Sequence, residues 1–355
     1  MGAQIKENYW QDEEPSAAAQ RDTEQAQHTL NLCIGAHFSR GVVLVNAKTP
    51  VLLLANGEGI IIGDIYSRAN HNRRTGRFDA SERNRIKESD GAYLIDEFWG
   101  EYVAFLVHDN APFVLRDPSG ALSCYALRCD GFDAFVSDVE FGVSLGLIDG
   151  DIDWHALSQW LVQAGLRTER TCIEGVDEIL SGVSWSRKSD SWGQQTAWTP
   201  WTFAAPGRQF AGRDEAVDVL RDAVYQATKA CAGDTQTALL EMSGGLDSSI
   251  VAACLRKAGI PVTCVSLWTS DAGGDERQYA QAVAEHIAAP MHFVRLSLED
   301  VDVANLSPIR KPRPLDHPLK RISDLILERE GLARNADSYF SGSGGDYVLG
   351  YLTSS

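Results

Sequence analysis

The stretch Glu241-Met242-Ser243-Gly244-Gly245-Leu246-Asp247-Ser248-Ser249-Ile250 gathers the residue types that phosphate chemistry needs. Ser243, Ser248 and Ser249 bring hydroxyl donors, and Asp247 brings one carboxylate for a metal cation. Gly244 and Gly245 let the backbone take positive φ and approach a ligand closely. A neutral Ser/Gly loop with a single carboxylate suits pyrophosphate accompanied by Mg²⁺. It is not a Walker A loop, because it lacks the Gly-Lys-Ser/Thr ending and its lysine. A plainer reading stands beside this one: a Ser/Gly-rich turn with a helix N-cap, which Ser or Asp often supplies.

A second such stretch follows about a hundred residues later: Ser341-Gly342-Ser343-Gly344-Gly345-Asp346-Tyr347-Val348-Leu349-Gly350-Tyr351. Alone it is weak evidence. Paired with the first it is stronger, since two Gly-rich turns at the ends of two parallel strands can face each other across one ligand. Asp247 and Asp346 would then share Mg²⁺, which is commonly held by one or two carboxylates plus phosphate oxygens and waters.

The elements around these turns fit that arrangement. An apolar strand, Thr237–Met242, runs into the first loop, and a helix over Ile250–Lys257 follows, closed by Gly259. Strand, turn and helix N-terminus place backbone N–H groups and a positive dipole end where an anion can sit. Further along come a strand at Val262–Trp268, a helix at Asp275–Ala288 and a strand at Met291–Leu296. In that helix Tyr279, Ala280, Val283 and Ile287 are expected inward. A helix around Ile322–Glu328 leads to a strand at Ser338–Ser341. Alternating βα units imply a parallel, doubly wound α/β sheet with ligands at the carboxyl ends of its strands. Before it, Arg213–Cys231 reads as a helix with Val217, Leu220, Val224, Ala227 and Cys231 at helical spacing.

The first half has another pattern. From Leu30 to Ile148, short apolar runs (Val42–Val45, Val51–Leu54, Ile60–Ile62, Tyr102–Val107, Phe113–Leu115, Leu122–Leu127, Ala134–Val136) are broken by turn signals, notably Asn56-Gly57 and Asp130-Gly131. The expectation is a β-rich domain of two packed sheets, an α+β unit built on a β-sandwich. Asp153 caps a helix to Gln163, with Leu157, Trp160, Leu161 and Ala164 on one face. Residues 165–206 read as irregular. Their tryptophans, at 185, 192, 198 and 201, clamp a connecting segment or, on a second reading, line a ligand box. The expected division is a flexible tail (1–27), a first domain with its connection (28–206) and the parallel α/β domain (207–355).

Bulk properties narrow the function. A length of 355 residues suits two domains, and the formal charge of −17 argues against a general nucleic-acid or anionic-membrane surface. No apolar run reaches the length of a membrane span, and Met1–Gln27 is polar without a signal-peptide pattern. Seven scattered cysteines with no Cys-x-x-Cys pair read as free thiols in a reducing cytoplasm.

The first loop resembles the S-G-G-x-D-S-S pyrophosphate loop of N-type ATP pyrophosphatases, which cleave ATP between the α and β phosphates. With the second turn, an S-G-x-G-x-D pattern followed by Gly, it resembles the asparagine synthetase family. The resemblance extends through Thr263–Leu267 and Asp275–Ala284. It reaches back to Thr171–Gly182 as an interdomain connection. Arg116-Asp117-Pro118-Ser119-Gly120, preceded by Gly100–Phe105, is similar to a core hairpin of the family's glutaminase (Ntn-hydrolase-like) domain. Gly63-Asp64-Ile65-Tyr66 is similar to its N-G-E-I-Y turn. The likeness covers roughly residues 30–355. It implies an adenine nucleotide alpha hydrolase-like fold, with ATP and Mg²⁺ required. Ser243, Gly244, Gly245, Asp247 and Ser248 would hold pyrophosphate and metal, with Asp346 the second magnesium ligand. Backbone groups of Met242, Val265, Ser341 and Gly342 would meet the adenosine. The implied reaction activates a carboxylate as its acyl-adenylate, and an amine then displaces AMP.

Departures from the family shift the expected substrate. Its glutaminases use an N-terminal cysteine, whereas this chain starts Met1-Gly2; using Cys33 would require removal of what precedes it, and a buried strand thiol is the alternative for that residue. Ile62 replaces the Asn that helps bind glutamine, so a degenerate glutaminase is expected. That pattern resembles the β-lactam synthetases and the lasso-peptide macrolactam synthetases (C proteins), which join a peptide's α-amine to its own Asp or Glu side chain. Gly344-Gly345-Asp346, with Ser343 where asparagine synthetases carry Glu, favours the lasso branch. That branch implies a precursor peptide as substrate and a leader-peptide protease as companion. Glutamine-hydrolysing asparagine synthase and a non-catalytic nucleotide-binding remnant remain the alternatives. Pro312, Pro314, Asp316, His317 and Pro318 fall where the family's acceptor-substrate segment begins; His317 could touch substrate or be a turn residue beside proline. The family's catalytic lysine and its acidic partner are expected beyond Ser355.

Overall fold

The computed structural model describes residues 27, 32–38, 41–74, 76–108, 111–129, 132–163, 166–188, 191–270, 275–296, 311–314 and 320–345. The chain divides into two compact units. The first runs to Arg208 and includes Ile309–Pro314; the second is Gln209–Pro308 with Leu315–Ser355. Ile309–Pro314 thus belongs with the first unit, although it lies in the stretch 207–355 expected to form the α/β domain.

In the first unit β1 (Cys33–Phe38) and β2 (Gly41–Val45) form an antiparallel pair of their own. β3 (Val51–Leu54) turns at Asn56-Gly57, where Gly57 has φ +68°, into β4 (Gly59–Ser67). Then come α1 (Ala80–Glu88), α2 (Ala92–Glu97), β5 (Phe98–His108), β6 (Ala111–Arg116), β7 (Tyr125–Arg128) and β8 (Asp133–Val136). They are followed by α3 (Val139–Ser144), α4 (Trp154–Val162), β9 (Val176–Glu178), β10 (Val183–Lys188) and β11 (Ser191–Thr196). One antiparallel sheet has the order β11-β10-β6-β5-β4-β3, and a smaller one the order β8-β7-β9.

Strand alternation gives the large sheet two apolar faces. Ile61, Ile65, Tyr102 and Leu115 join Ile86 of α1 and Leu94 and Ile95 of α2 in one core. Val103, Val114 and Phe105 point the other way, to Cys124, Ile179 and Phe135 of β8. The two packed sheets therefore carry a helical layer on the other face of the larger one. Its start is written in the sequence: Asp79 accepts from Glu82 N, and Glu82 reciprocates, a capping box.

The segment 165–206 is not irregular. It supplies β9 and the β10–β11 hairpin, whose residues are mostly Ser, Gln, Arg and Gly, so no apolar run announces them. Trp185 and Trp192 face Phe135 and Phe105 in the core, and Trp198 packs on the helical side, whereas Trp201 is 78% exposed. The tryptophans thus divide between two cores and solvent. Cys33 is exposed in β1 rather than buried, and all seven cysteines are free. In α4, capped by Asp153 as expected, Ala156 is the buried residue and Leu161 is exposed.

The second unit contains α5 (Arg213–Ala232), β12 (Ala238–Glu241), α6 (Leu246–Lys257), β13 (Val262–Trp268), α7 (Arg277–His286), β14 (Met291–Arg295), α8 (Lys320–Ala333) and β15 (Ser338–Phe340). Among the described residues it has four strands, all parallel, in the order β14-β13-β12-β15. Ala238, Leu240 and Met242 pack on Ala252 and Leu255 of α6 and on Ala280 and Ala284 of α7. Leu239 and Val265 pack on Leu327 of α8, so helices cover both faces. Within α7, Tyr279 faces solvent, and in α5 Val217 and Leu220 are exposed while Ala230 and Ala232 are buried. Among the described residues no helix is long and apolar enough to cross a membrane.

Candidate functional site

The chain adds β13 and β14 on one side of β12, then returns to place β15 on the other. The switch point therefore lies between β12 and β15, and crevices of this kind outside the strand carboxyl ends are where open α/β sheets bind ligands. Both Gly-rich turns leave from these two strands.

The first turn is shaped by its neighbours. Met242 is fully buried, and its N–H donates to Val265 O at 2.9 Å, extending the parallel pairing. Gly244 has φ +82°, and a Cβ there would lie 2.4 Å from Ala280 N of α7. Both the backbone angle and the space thus demand glycine. Gly245 is the N-cap of α6 and carries no side-chain cap, so the first-turn N–H groups lack the usual side-chain acceptor. The N-cap alternative raised by the sequence does not apply: neither Ser nor Asp occupies that position.

α6 begins at Leu246, four residues earlier than the sequence suggests, so Asp247 and Ser248 sit in its first turn rather than in a loop. Ser248 is buried, with its hydroxyl 3.1 Å from Ser243 Oγ and 3.3 Å from Gly245 O. Ser243 is exposed, and its Oγ also accepts from Gly245 N at 3.1 Å. Ser249 donates to Gly245 O at 2.7 Å.

The second turn meets the first. A Cβ on Gly342 would stand 2.5 Å from Ser248 N, and one on Gly345 would stand 2.2 Å from the Asp247 carboxyl carbon. Gly344 has φ +98°, and Gly345 N donates to Gly342 O at 3.3 Å. Ser341 Oγ accepts from Ser343 N at 3.3 Å. Met242, Ser243, Gly244, Gly245, Asp247, Ser248, Ser341 and Gly342 thus gather at the ends of β12 and β15, with Val265, midway along β13, beside Glu241 and Met242. Asp346, Asp316, His317 and Pro318 lie outside the described residues. Among the described residues no group of three His, Cys, Asp or Glu side chains could hold a metal ion. The fit to Mg²⁺ therefore rests on Asp247, a hard oxygen donor beside an uncapped helix start.

Two relationships between residues are not visible in the sequence. Gly345 is needed for its closeness to Asp247, which the spacing of the motif alone does not tell. At the end of β12, Glu241 Oε2 accepts a hydrogen bond from Tyr339 Oη of β15 at 2.5 Å. Burial, then the bond to Glu241, raise the Tyr339 phenol well above its ordinary range, so it stays protonated as donor at neutral pH.

In the first unit, Ile62 lies in β4 between Val51 and Val103, as an aliphatic side chain with no hydrogen-bonding group. Asp64, two residues on, is ion-paired with Arg73.

Four parallel strands with glycine-rich turns at a switch point define the α/β class that binds ligands at strand ends. Residues 219–353 match the family model described as Asparagine synthase, from within α5 to past β15. Apart from Ile309–Pro314, the matched stretch lies within the second unit, and it includes both glycine-rich turns. No curated protein matches the chain. Among solved structures it is similar to an NH3-dependent NAD synthetase from Campylobacter jejuni, at 15% identity and a TM-score of 0.27. That alignment covers 38% of this chain and 61% of the other's length.

Proposed function

We propose that the chain is an ATP- and Mg²⁺-dependent, AMP-forming amide ligase that adenylates a carboxylate, and that it serves as a lasso-peptide macrolactam synthetase. The observation that carries the reading is the meeting of the two turns, with Gly342 against Ser248 and Gly345 against Asp247. Such a cradle suits a pyrophosphate lying over the start of α6, where the first-turn N–H groups and the helix dipole favour negative charge. Asp247 and Asp346 would hold the Mg²⁺. Bound there, the cation neutralises charge on the leaving pyrophosphate. The loop's own contribution is to fix the phosphates, so that a carboxylate held nearby is aligned with the α-phosphorus.

The choice of a peptide amine over ammonia is supported by the first unit. Ile62 offers no hydrogen bond to glutamine, and Asp64 is already engaged by Arg73. The nitrogen then comes from the substrate, a precursor peptide whose α-amine attacks its own activated Asp or Glu side chain. A leader-peptide protease would expose that amine. The protein would act in the cytoplasm.

Incubating the full chain with ATP, Mg²⁺ and such a peptide tests the reading. AMP and pyrophosphate should appear together with a peptide product lighter by one water. Robust ammonia release from glutamine would instead favour a glutamine-dependent asparagine synthase.

A further inference from the structure

β12 ends on a carboxylate that its own strand does not account for. Ala238, Leu239 and Leu240 are apolar and buried, as a central parallel strand requires. Glu241 then follows on the side of the sheet to which Leu239 points, the side covered by α8. Tyr339 stands opposite Leu239 in the parallel register, on the same face. Its hydroxyl reaches forward to Glu241 and occupies Oε2. Among the described residues no hydrogen bond engages Oε1. Glu241 is half-buried and Tyr339 is 50% exposed, so the pair is not sealed from solvent at the switch point.

A strand-end carboxylate satisfied by a tyrosine is the simplest account of this pair, but it leaves Oε1 and its position unexplained. The phosphate cradle lies on the opposite side, where α6 begins. A nucleotide with its phosphates over α6 and its long axis across the strand ends carries its nucleoside towards the α8 side. A carboxylate there is kept away from the phosphates, which it would repel, and it can only accept hydrogen bonds.

We infer that Glu241, oriented by Tyr339, is a specificity-determining residue that accepts a hydrogen bond from the nucleoside of the bound nucleotide. This rests on the reading of the paired turns as an ATP site. The donors that a nucleoside offers are the exocyclic amine of adenine and the ribose hydroxyls. A base that presents a carbonyl in place of the amine would meet an acceptor with an acceptor, which costs affinity. Tyr339 is the positioning residue: by donating to Oε2 it fixes the carboxylate plane.

Equilibrium binding by the full chain with Mg²⁺ tests this, using ATP, inosine triphosphate, 2′,3′-dideoxy-ATP and inorganic pyrophosphate as probes. Glu241→Leu should weaken ATP about 10- to 100-fold, the range for losing a hydrogen bond to a charged group. Tyr339→Phe should weaken it less, and pyrophosphate binding should be unchanged in both. If the base is read, wild-type protein binds inosine triphosphate weakly and the Leu variant no longer discriminates. If the sugar is read, discrimination against dideoxy-ATP is what disappears. Glu241→Gln keeps the shape of the strand end and guards against a folding artefact. ATP affinity within twofold of wild type in both Glu241 variants, while Asp247→Ala loses it, overturns the inference alone. Unchanged ATP affinity in Asp247→Ala overturns the site reading beneath it.

Discussion

Arg313 is ion-paired with Glu178, a fully buried carboxylate 135 positions earlier in the chain. Arg313 also donates to Thr168 O and Arg170 O, and Cys172 N donates to Pro312 O at 2.7 Å. Arg116, itself buried, donates to Glu178 Oε1 at 2.7 Å, and the more exposed Arg167 donates to the same oxygen at 2.6 Å. One carboxylate thus serves three guanidiniums and pins Lys311–Pro314 into the first unit. Removing one member of a buried pair leaves the others uncompensated, at about 3–5 kcal/mol. Glu178→Gln and Arg313→Ala should each lower the denaturant midpoint of the full chain. Arg313→Lys should recover only part, because an ammonium cannot reproduce the fork that reaches both carboxylate and carbonyls.

The same carboxylate makes acid stability predictable. Burial pushes the Glu178 pKa up, but its hydrogen bonds with Arg167 and Arg116 and the nearby positive charges win, and the net shift is down. A folded-state pKa below the unfolded value adds stability that is complete above the ordinary carboxylate range. It is lost as pH falls through the folded value. Wild-type melting temperature should therefore drop below about pH 4.5, the ordinary glutamate value, and Glu178→Gln should flatten that limb. Equal acid slopes in the two proteins would contradict the assignment.

Gly244 and Gly245 are adjacent but not equivalent. An alanine at 244 meets Ala280 N at 2.4 Å with φ at +82°, whereas one at 245 meets only Ser243 Oγ at 3.2 Å. Gly244→Ala should cost at least about 1–3 kcal/mol from the backbone angle alone and abolish ATP binding. Gly245→Ala should fold nearly as wild type. Thermal melts and ATP titrations on both variants check the contrast.

Asp247→Ala should abolish Mg·ATP binding while leaving the fold intact, since the side chain is only partly buried. Gly345→Ala is the subtler probe, because its methyl would displace the Asp247 carboxylate. It should raise the Mg²⁺ concentration needed for half-maximal ATP binding about tenfold or more, one charge-assisted contact being worth that much. A magnesium titration at fixed ATP reads it.

Ile62→Asn should not restore glutamine binding, because Asp64 stays bound to Arg73. Glutamine binding, measured by equilibrium titration in this variant and in Ile62→Asn with Arg73→Ala, separates the two blocks, since binding does not need the nucleophile.

What could be read from residues alone follows from the physics of each part. β13 was legible to the residue, since a parallel strand buried on both faces is a continuous apolar run flanked by turn signals. β10 and β11 were not: as a hairpin at the edge of the large sheet they carry Ser, Gln and Gly beside single tryptophans, and only the partner Phe135 explains those rings. α1 was not read: Asp79 and Glu82 have capping-box spacing, but the helix buries only Ile86, so its periodicity is faint. In the site, Ser243, Gly244, Gly245 and Asp247 stood out by type and order. The reason Gly244 must be glycine came from α7, and the closeness of Gly345 to Asp247 from the far strand, neither of which spacing encodes. Glu241 passed unnoticed because its partner, Tyr339, lies 98 positions away.

The strand order has a bearing on how the chain assembles. β12 pairs with β13 across a short helix, but its other edge waits for β15, tied by Asp337 to Gln236 at a separation of 101 residues. Contacts of that range form slowly, because the intervening loop must first close. Until then the edge of β12 is an apolar, unpaired template of the kind that recruits other chains into aggregates. The nucleotide cradle is also incomplete in that interval. Added Mg·ATP should therefore not rescue early intermediates, and should protect only molecules in which β15 has already docked.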